Sequence, residues 1–350
     1  MIGQYSIDSM KLRIPLENCT DISNDLQREV AKVNMFTGEI LEVSTENWAR
    51  IEREGIKTKF AIETEKIGKA YIKCLTILIN SKMLKSDYFT GINKATLPLI
   101  YAYCINQNLA SFTYESFLNG YCTDIDVKRD FIEDEKVMLS AFKLMKQNAL
   151  PHPEMDRGFM KDKHGNGFQF NKRESSSHNA PFVKVYWKTK ELQTKSLEFT
   201  MNHLNEVPEN VWRTEYTIKN SNHLKSLLPQ IENNKLLTLM DCTQSNFESM
   251  YQKVLRKCLG HRFIEVPKFK DSDKINPNDL FRVNAMILLM DSGMTFEMAK
   301  MKLMGDMDRV NRSKWNKLLN DLFNAYIKPI ENYSNYDKLE NTMTKIGWTF

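Results

Sequence analysis

The chain has 350 residues, 42% of them hydrophobic and 27% charged, with a formal net charge of +5, so it is ordinary globular material with room for two domains or one domain and a large appendage. The mild positive excess permits a polyanionic partner but lacks the bias of a histone-like protein. Its six cysteines include no C-x-x-C pair, which argues against structural zinc and a disulfide framework, and neither a signal leader at MIGQYSIDSMKLRIPL nor a long uncharged apolar run is present. A reducing cytoplasm and no membrane span are expected.

SIDSMKLRIPL alternates and stops at Pro15, which predicts a first strand. KVNMFTGEILEVS carries Thr-Gly between two β-prone runs and predicts a hairpin. YIKCLTILIN predicts a buried strand, NKATLPLIYAYCINQN a helix, and FTYESFLNGYCTDIDVKRDF a return to alternation. EDEKVMLSAFKLMKQNA reads as an amphipathic helix, with acids in its first turn and Lys143 and Lys146 towards its end to match the helix dipole. DRGFMKDKHGNGFQFNKRESSSHNA predicts a polar hairpin or loop. PFVKVYWK is the next strand, TKELQTKSLEFTMNHL a helix, and VWRTEYTIKN another strand. Strand, helix, strand occurs twice, which predicts an α+β fold with a mostly antiparallel sheet and helices on one face.

From about Ser226 onward Leu, Met and Asn recur at helical spacing, so residues 1–228 and 229–350 read as two domains, the second helical. Its segment TFEMAKMKLMGDMDRVNRSKWNKLLNDLFNAYIK predicts two helices joined at Gly305. These form either a plain helical hairpin or a helix-turn-helix, with the Met-rich stripe as core packing. Residues 253–270, KVLRKCLGHRFIEVPKFK, hold six basic residues and one acid. Lys253, Arg256, Lys257, Arg262, Lys268 and Lys270 are therefore either a solvated face or a phosphate-contacting, DNA-binding surface.

Three predicted strands share one design. Alternation puts Asp124, Asp126 and Lys128 on one face of the first, Lys184, Tyr186 and Lys188 on one face of the second, and Arg213, Glu215, Thr217 and Lys219 on one face of the third. Alternation alone favours an ordinary wet face stabilised by cross-strand ion pairs. The same residues suit phosphodiester chemistry. Asp126, Glu215 and Asp124 offer the hard oxygen ligands that Mg2+ or Mn2+ prefers. Lys184, Lys188 and Arg213 can neutralise phosphate charge, and Tyr186 can attack phosphorus, its phenol lowered from an ordinary pKa near ~10 by the flanking lysines and a metal. A metal-dependent nuclease using water, with Tyr186 structural, is also compatible. Tyr216 falls on the apolar face. The histidines His152, His164, His178, His203, His223 and His261 form no H-x-H pair, and His178 is either an accessory ligand or a loop residue.

SIDSMKLRIPL, TDIDVKRD, FVKVYWKTKEL and VWRTEYTIKN with SNHLKSL, in this order, resemble blocks of the gene II/X family of rolling-circle replication initiators of filamentous phages and related plasmids. The resemblance spans about residues 7–227 and implies a ferredoxin-like or RRM-like palm. It also implies a metal-dependent endonuclease that nicks one origin strand, keeps the 5′ end as a phosphotyrosine, leaves a free 3′-hydroxyl and later rejoins the strand. The family's Tyr-x-Lys falls on Tyr186 and Lys188, its Arg-x-Glu on Arg213 and Glu215, and its aspartate on Asp126, whereas Asp124 stands where the family has arginine. The implied partners are single-stranded or locally melted origin DNA and host helicase and polymerase in a bacterial cytoplasm. A non-catalytic, sequence-specific DNA-binding protein and a structural or interaction protein are the other classes open.

Overall fold

The computed structural model describes residues 2–37, 39–67, 70–148, 155–162, 165–172, 183–259, 268–269, 275–291, 294, 296–305, 307–328 and 333–348. The fold is α+β, built on one nine-stranded sheet. In chain order its strands are β1 (Tyr5–Pro15), β2 (Trp48–Arg53), β3 (Ile56–Ile67), β4 (Ala70–Asn80), β5 (Tyr121–Ile132), β6 (Met155–Asp162), β7 (Gly165–Lys172), β8 (Val183–Trp187) and β9 (Val211–Ile218). Across the sheet they run β6-β7-β8-β9-β5-β1-β4-β3-β2, and every pairing is antiparallel. The predicted hairpin forms a separate ribbon, Arg28–Val33 with Ile40–Glu46.

Alternation explains which side of the sheet is dry. Ile125 and Val127 on β5, Val183 and Val185 on β8, and Trp212, Tyr216 and Ile218 on β9 are all buried in one core. Helix α1 (Leu97–Ile105) and helix α2 (Glu135–Asn148) add Ile100, Cys104, Met138, Phe142 and Met145 to it. Phe142 meets the Trp212 ring edge-on at 5.7 Å, so α2 lies against the even-numbered face of β9. The Tyr216 hydroxyl is paired with His223 Nε2 at 2.8 Å inside that core, as its place on the apolar face predicts.

The helix after β8 starts earlier than the sequence suggests. β8 ends at Trp187 and Lys188 opens helix α3 (Lys188–Thr194), followed by helix α4 (Leu197–His203). Lys188 therefore leaves the strand that carries Tyr186. A 3-10 segment, Ser81–Thr90, places Tyr88 over the polar side of the sheet, where its ring meets Phe199 of α4 at 5.3 Å. Helical pieces thus cover part of the polar face as well as the apolar one.

Beyond residue 229 the helices divide between two cores. Helix α5 (Gln244–Cys258) contributes Met250, Tyr251, Val254 and Leu255 to the sheet's core, and its Tyr251 hydroxyl donates to the Val127 carbonyl at 2.6 Å. Helices α6 (Pro277–Asp291), α7 (Phe296–Met304) and α8 (Arg309–Tyr326) share a second cluster of Val283, Met286, Met304, Leu319 and Leu322. The turn between α7 and α8 falls on Gly305, at φ +50°, as the sequence predicts. Helix α9 (Tyr333–Ile346) returns to the first core through Met343 and Ile346. The division at 228/229 therefore does not coincide with the division of the cores. All six cysteines are free thiols, and among the described residues no helix is long and apolar enough to cross a membrane.

Gly91 closes the segment that carries Tyr88, at φ +68°, where a β-carbon would run into the Ser6 side chain of β1. Strained backbone and overpacking act together there. Gly91→Ala is expected to lower the urea midpoint by an amount worth about 2 kcal/mol, whereas a loss below about 0.5 kcal/mol would mean that the segment is free to shift.

Candidate active site

Two irregularities on neighbouring strands decide which carboxylates meet Tyr186. On β1, Ile7 pairs with Val127 and Ser9 with Asp126, so one step of β5 faces two steps of β1. That bulge turns both Asp8 and Ser9 toward the polar face, where Asp8 accepts from Arg213 and Ser9 donates to Asp126. The second irregularity is at Asp124, whose φ of +46° interrupts the alternation of β5. The Asp124 carboxylate is held by Lys11 at 2.8 Å and Lys219 at 3.2 Å. It lines a different pocket from Tyr186, so the expected trio of Asp124, Asp126 and Glu215 does not share one set of contacts.

The upper layer centres on Glu215. Register places Lys184 opposite it, and Lys184 Nζ donates to Oε1 at 2.6 Å. The Tyr186 hydroxyl donates to Oε2 at 3.0 Å. Asp126 stands on the other side of β9, its oxygens accepting from Ser9 at 2.6 Å and Thr217 at 2.5 Å. Burial, and then the Glu215 charge, push the Asp126 carboxyl up to about 6. Burial and the same carboxylate hold the Tyr186 phenol well above its ordinary range. The expected lowering by flanking lysines is not found, because Lys184 is paired with Glu215 and Lys188 Nζ with Glu191 at 2.5 Å.

Alongside this, on the same face of the sheet, lies a second, lower charged layer that alternation indicated only in part. Arg213 is fully buried and donates to Asp130 through Nε at 2.7 Å and Nη2 at 3.0 Å, and to Asp8 through Nη1 at 2.7 Å. Lys128 also reaches Asp130, at 2.6 Å. Burial opposes the Asp130 charge, but Arg213 and Lys128 hold its carboxyl down at about 2. The Tyr88 ring roofs the layer, with the cationic groups of Lys128, Lys188 and Arg213 at 5.2–5.4 Å from its centre. Arg213, the register partner of Tyr186, therefore stands beside the phenol fully buried, with its guanidinium spent on Asp130 and Asp8. Asp8, Tyr88, Asp130 and Glu191 were not singled out in the sequence. For Asp130 a signal was present, since it continues the Asp126, Lys128 alternation.

Tyr186, Lys188, Asp8, Glu191, Lys57 and Lys82 line a pocket of about 300 Å³. Among the described residues no three His, Cys, Asp or Glu side chains cluster as a ready-made metal cage. The donor chemistry nevertheless fits a hard divalent cation. Two neighbouring carboxylates, one pushed up by burial and by the charge of the other, are what such an ion relieves, and magnesium commonly takes one or two carboxylates together with water and a substrate phosphate.

Of the basic residues expected to touch DNA, Lys253 and Arg256 are exposed on α5. Arg262 and Lys270 lie outside the described residues, as do the side chains of Lys257 and Lys268 and the whole of His178. Comparison with known protein families and with curated proteins finds no match for the chain.

Arg213→Met removes the partner of two interior carboxylates. A loss of about 3–5 kcal/mol in urea denaturation at pH 7 is expected, and a loss below about 1 kcal/mol would show that those charges are solvated. Asp126 predicts the opposite sign. Its pKa of about 6 in the fold lies above an unfolded value of ~3.9, so the native state binds the extra proton between these limits and loses stability as pH rises through them. Asp126→Asn is therefore expected to be about 1–2 kcal/mol more stable than the unaltered chain at pH 7, with the gain gone by pH ~4. An equal difference at both pH values would refute the assignment.

Proposed function

We propose that the polar face of the sheet transfers a nucleic-acid phosphoryl group to Tyr186, making the protein a rolling-circle replication initiator that nicks and rejoins one strand of its origin. The observation that carries this reading is the hydrogen bond from the Tyr186 hydroxyl to Glu215 Oε2, 3.0 Å long, at the edge of a pocket that also holds Lys188, Lys82 and Lys57. The resemblance of four sequence blocks supports it independently, since it selects Tyr186, Glu215 and Asp126 among many tyrosines and acids.

In the proposed reaction Glu215 takes the phenol proton as Oη bonds to phosphorus. The bond from phosphorus to the 3′ oxygen breaks, and that oxygen takes a proton from solvent. The products are a 5′-phosphotyrosine and a free 3′-hydroxyl. Rejoining reverses these steps: the 3′-hydroxyl attacks the phosphotyrosine and Glu215 returns the proton to the phenol. Asp126 and Glu215 are the residues that would hold Mg2+ or Mn2+, which supplies a Lewis acid for the phosphoryl oxygen. Lys188, its ammonium 5.6 Å from the Tyr186 ring centre, and Lys82 offset phosphate charge. Arg213 holds Asp8 and Asp130 and, standing opposite Tyr186, favours its phenolate. The substrate is single-stranded or locally melted origin DNA, and a free 3′ end implies host helicase and polymerase as partners.

The test uses a randomised single-stranded DNA pool labelled at the 3′ end and incubated with magnesium or manganese. The unaltered chain is expected to carry label through denaturing electrophoresis, and Tyr186→Phe to carry at least 100-fold less. Sequencing the captured strands then gives the origin. Cutting without attachment by both chains would mean a nuclease using water. Binding without cutting would leave a sequence-specific DNA-binding protein, and inert, unbound DNA would end the proposal.

A further inference from the structure

The polar face continues past the candidate site into a second pocket, also of about 300 Å³, lined by Arg13, Lys66, Tyr121, Lys219 and Asn220. Lys219 lies four residues beyond Glu215, just past the end of β9, about 13 Å further along the strand direction. The two sites thus share one surface at a separation that a few nucleotides can span.

Charge and shape make this a nucleotide pocket. Its carboxylates, Glu65 and Asp124, are already neutralised: Glu65 by Arg13 at 2.7 Å, and Asp124 by Lys11 and Lys219. Arg13, Lys11, Lys66 and Lys219 leave positive charge in excess over them. Arg13 is tied into the pocket wall, with Nη1 donating to Thr123 and Nη2 paired with Glu65, and its Nε is buried. Lys66 and Lys219 are solvent-accessible, and half-buried Tyr121 and the Asn220 amide stand beside them. Cations beside an aromatic ring and an amide match the way single strands are held, with phosphate on the cations and a base against the ring.

We infer that this second pocket binds a nucleotide of the same single strand, a few positions from the phosphate at Tyr186. The inference rests on the reading of Tyr186 as the strand-cleaving residue, and it adds where the flanking strand is gripped. Lys11 and Asp124 at the pocket's rim then act as a charge-paired ridge between the two sites.

The test measures fluorescence anisotropy of a 3′-labelled oligonucleotide recovered from the adduct-forming pool, or an unselected single strand if no adduct forms. Binding is read in the Tyr186→Phe background, where it stays reversible, at several salt concentrations. Adding Lys66→Gln with Lys219→Gln is expected to weaken binding about 5-fold to 20-fold and to reduce the salt slope by about 0.7–1.4, one to two phosphates on a single strand. The same pair in the chain with Tyr186 intact should leave adduct yield at saturating strand unchanged. A control pair of exposed lysines that do not line the pocket, Lys94→Gln with Lys136→Gln, should change affinity less than 2-fold. Equal loss in the control pair, or no loss in the first, overturns the inference and leaves the tyrosine chemistry standing. Strand bound without any adduct, yet weakened by the first pair, keeps the pocket and removes the tyrosine chemistry. Inorganic phosphate that binds through Lys66 and Lys219 while strand affinity is unaffected makes the pocket a free-anion site and overturns the inference. No strand binding by the unaltered chain overturns both.

Discussion

An arginine with no exposed surface has to find its anions inside the protein, and Arg213 finds two on two different strands. Asp130 is its register partner on β5. Asp8 is on β1, one strand further away, and reaches the guanidinium only because the bulge between Ile7 and Ser9 turns it to the polar side. A one-residue slip between β9 and β5 would carry Arg213 away from Asp130 and turn Glu215 toward the apolar core. The buried ion pair and the site above it are therefore set by the same register. Breaking the pair would disturb the placement of Tyr186 before it affected any chemistry.

The two layers differ in charge balance, and that difference bears on function. In the lower layer Arg213 and Lys128 face Asp8 and Asp130, two cations against two anions. In the upper layer Lys184 is paired with Glu215, Lys188 is matched by Glu191, and Asp126 has hydroxyl partners but no ion pair among the described residues. Burial, and then this surplus negative charge, raise the Asp126 carboxyl. A phosphate approaching this surplus is repelled, whereas a divalent cation is attracted and then reverses the local sign. Under the proposed function, the carboxylates that cost stability in the free protein are the ones that make cation binding favourable.

Much of this site was legible because period-two alternation survives wherever strands are regular. Lys184, Tyr186 and Glu215 lie on β8 and β9, which pair without interruption, and the sequence assigns all three to one face. Regularity fails at three places, and there the sequence misled or was silent. The β1 bulge is fixed by its partner strand, so nothing local in SIDSMKL marks Asp8. Asp124 has a left-handed backbone that breaks its phase with Asp126. Lys188 leaves the strand because helix α3 begins there. Two whole strands, β2 and β3, went unnamed. Their hairpin turns on Glu54 and Gly55, both at positive φ, a two-residue geometry usually announced by Asn-Gly or Asp-Gly. Tyr88 was out of reach for another reason, since a 3-10 segment carries no periodic signal that would aim a ring at three cations.

The high pKa of Tyr186 looks unsuited to a nucleophile, but it is consistent with one that must stay inactive until its substrate is in place. A half-buried phenol donating to Glu215 and held well above its ordinary range stays protonated at neutral pH. Positive charge brought into the upper layer would stabilise the phenolate and weaken the repulsion from Glu215 together, so the environment that admits a phosphate is also the one that frees the nucleophile. On this argument the rigidity of the lower layer and the charge deficit of the upper one are complementary. Under the proposed function, the first would keep Tyr186 in place and the second would keep it protonated until a cation and a strand arrive.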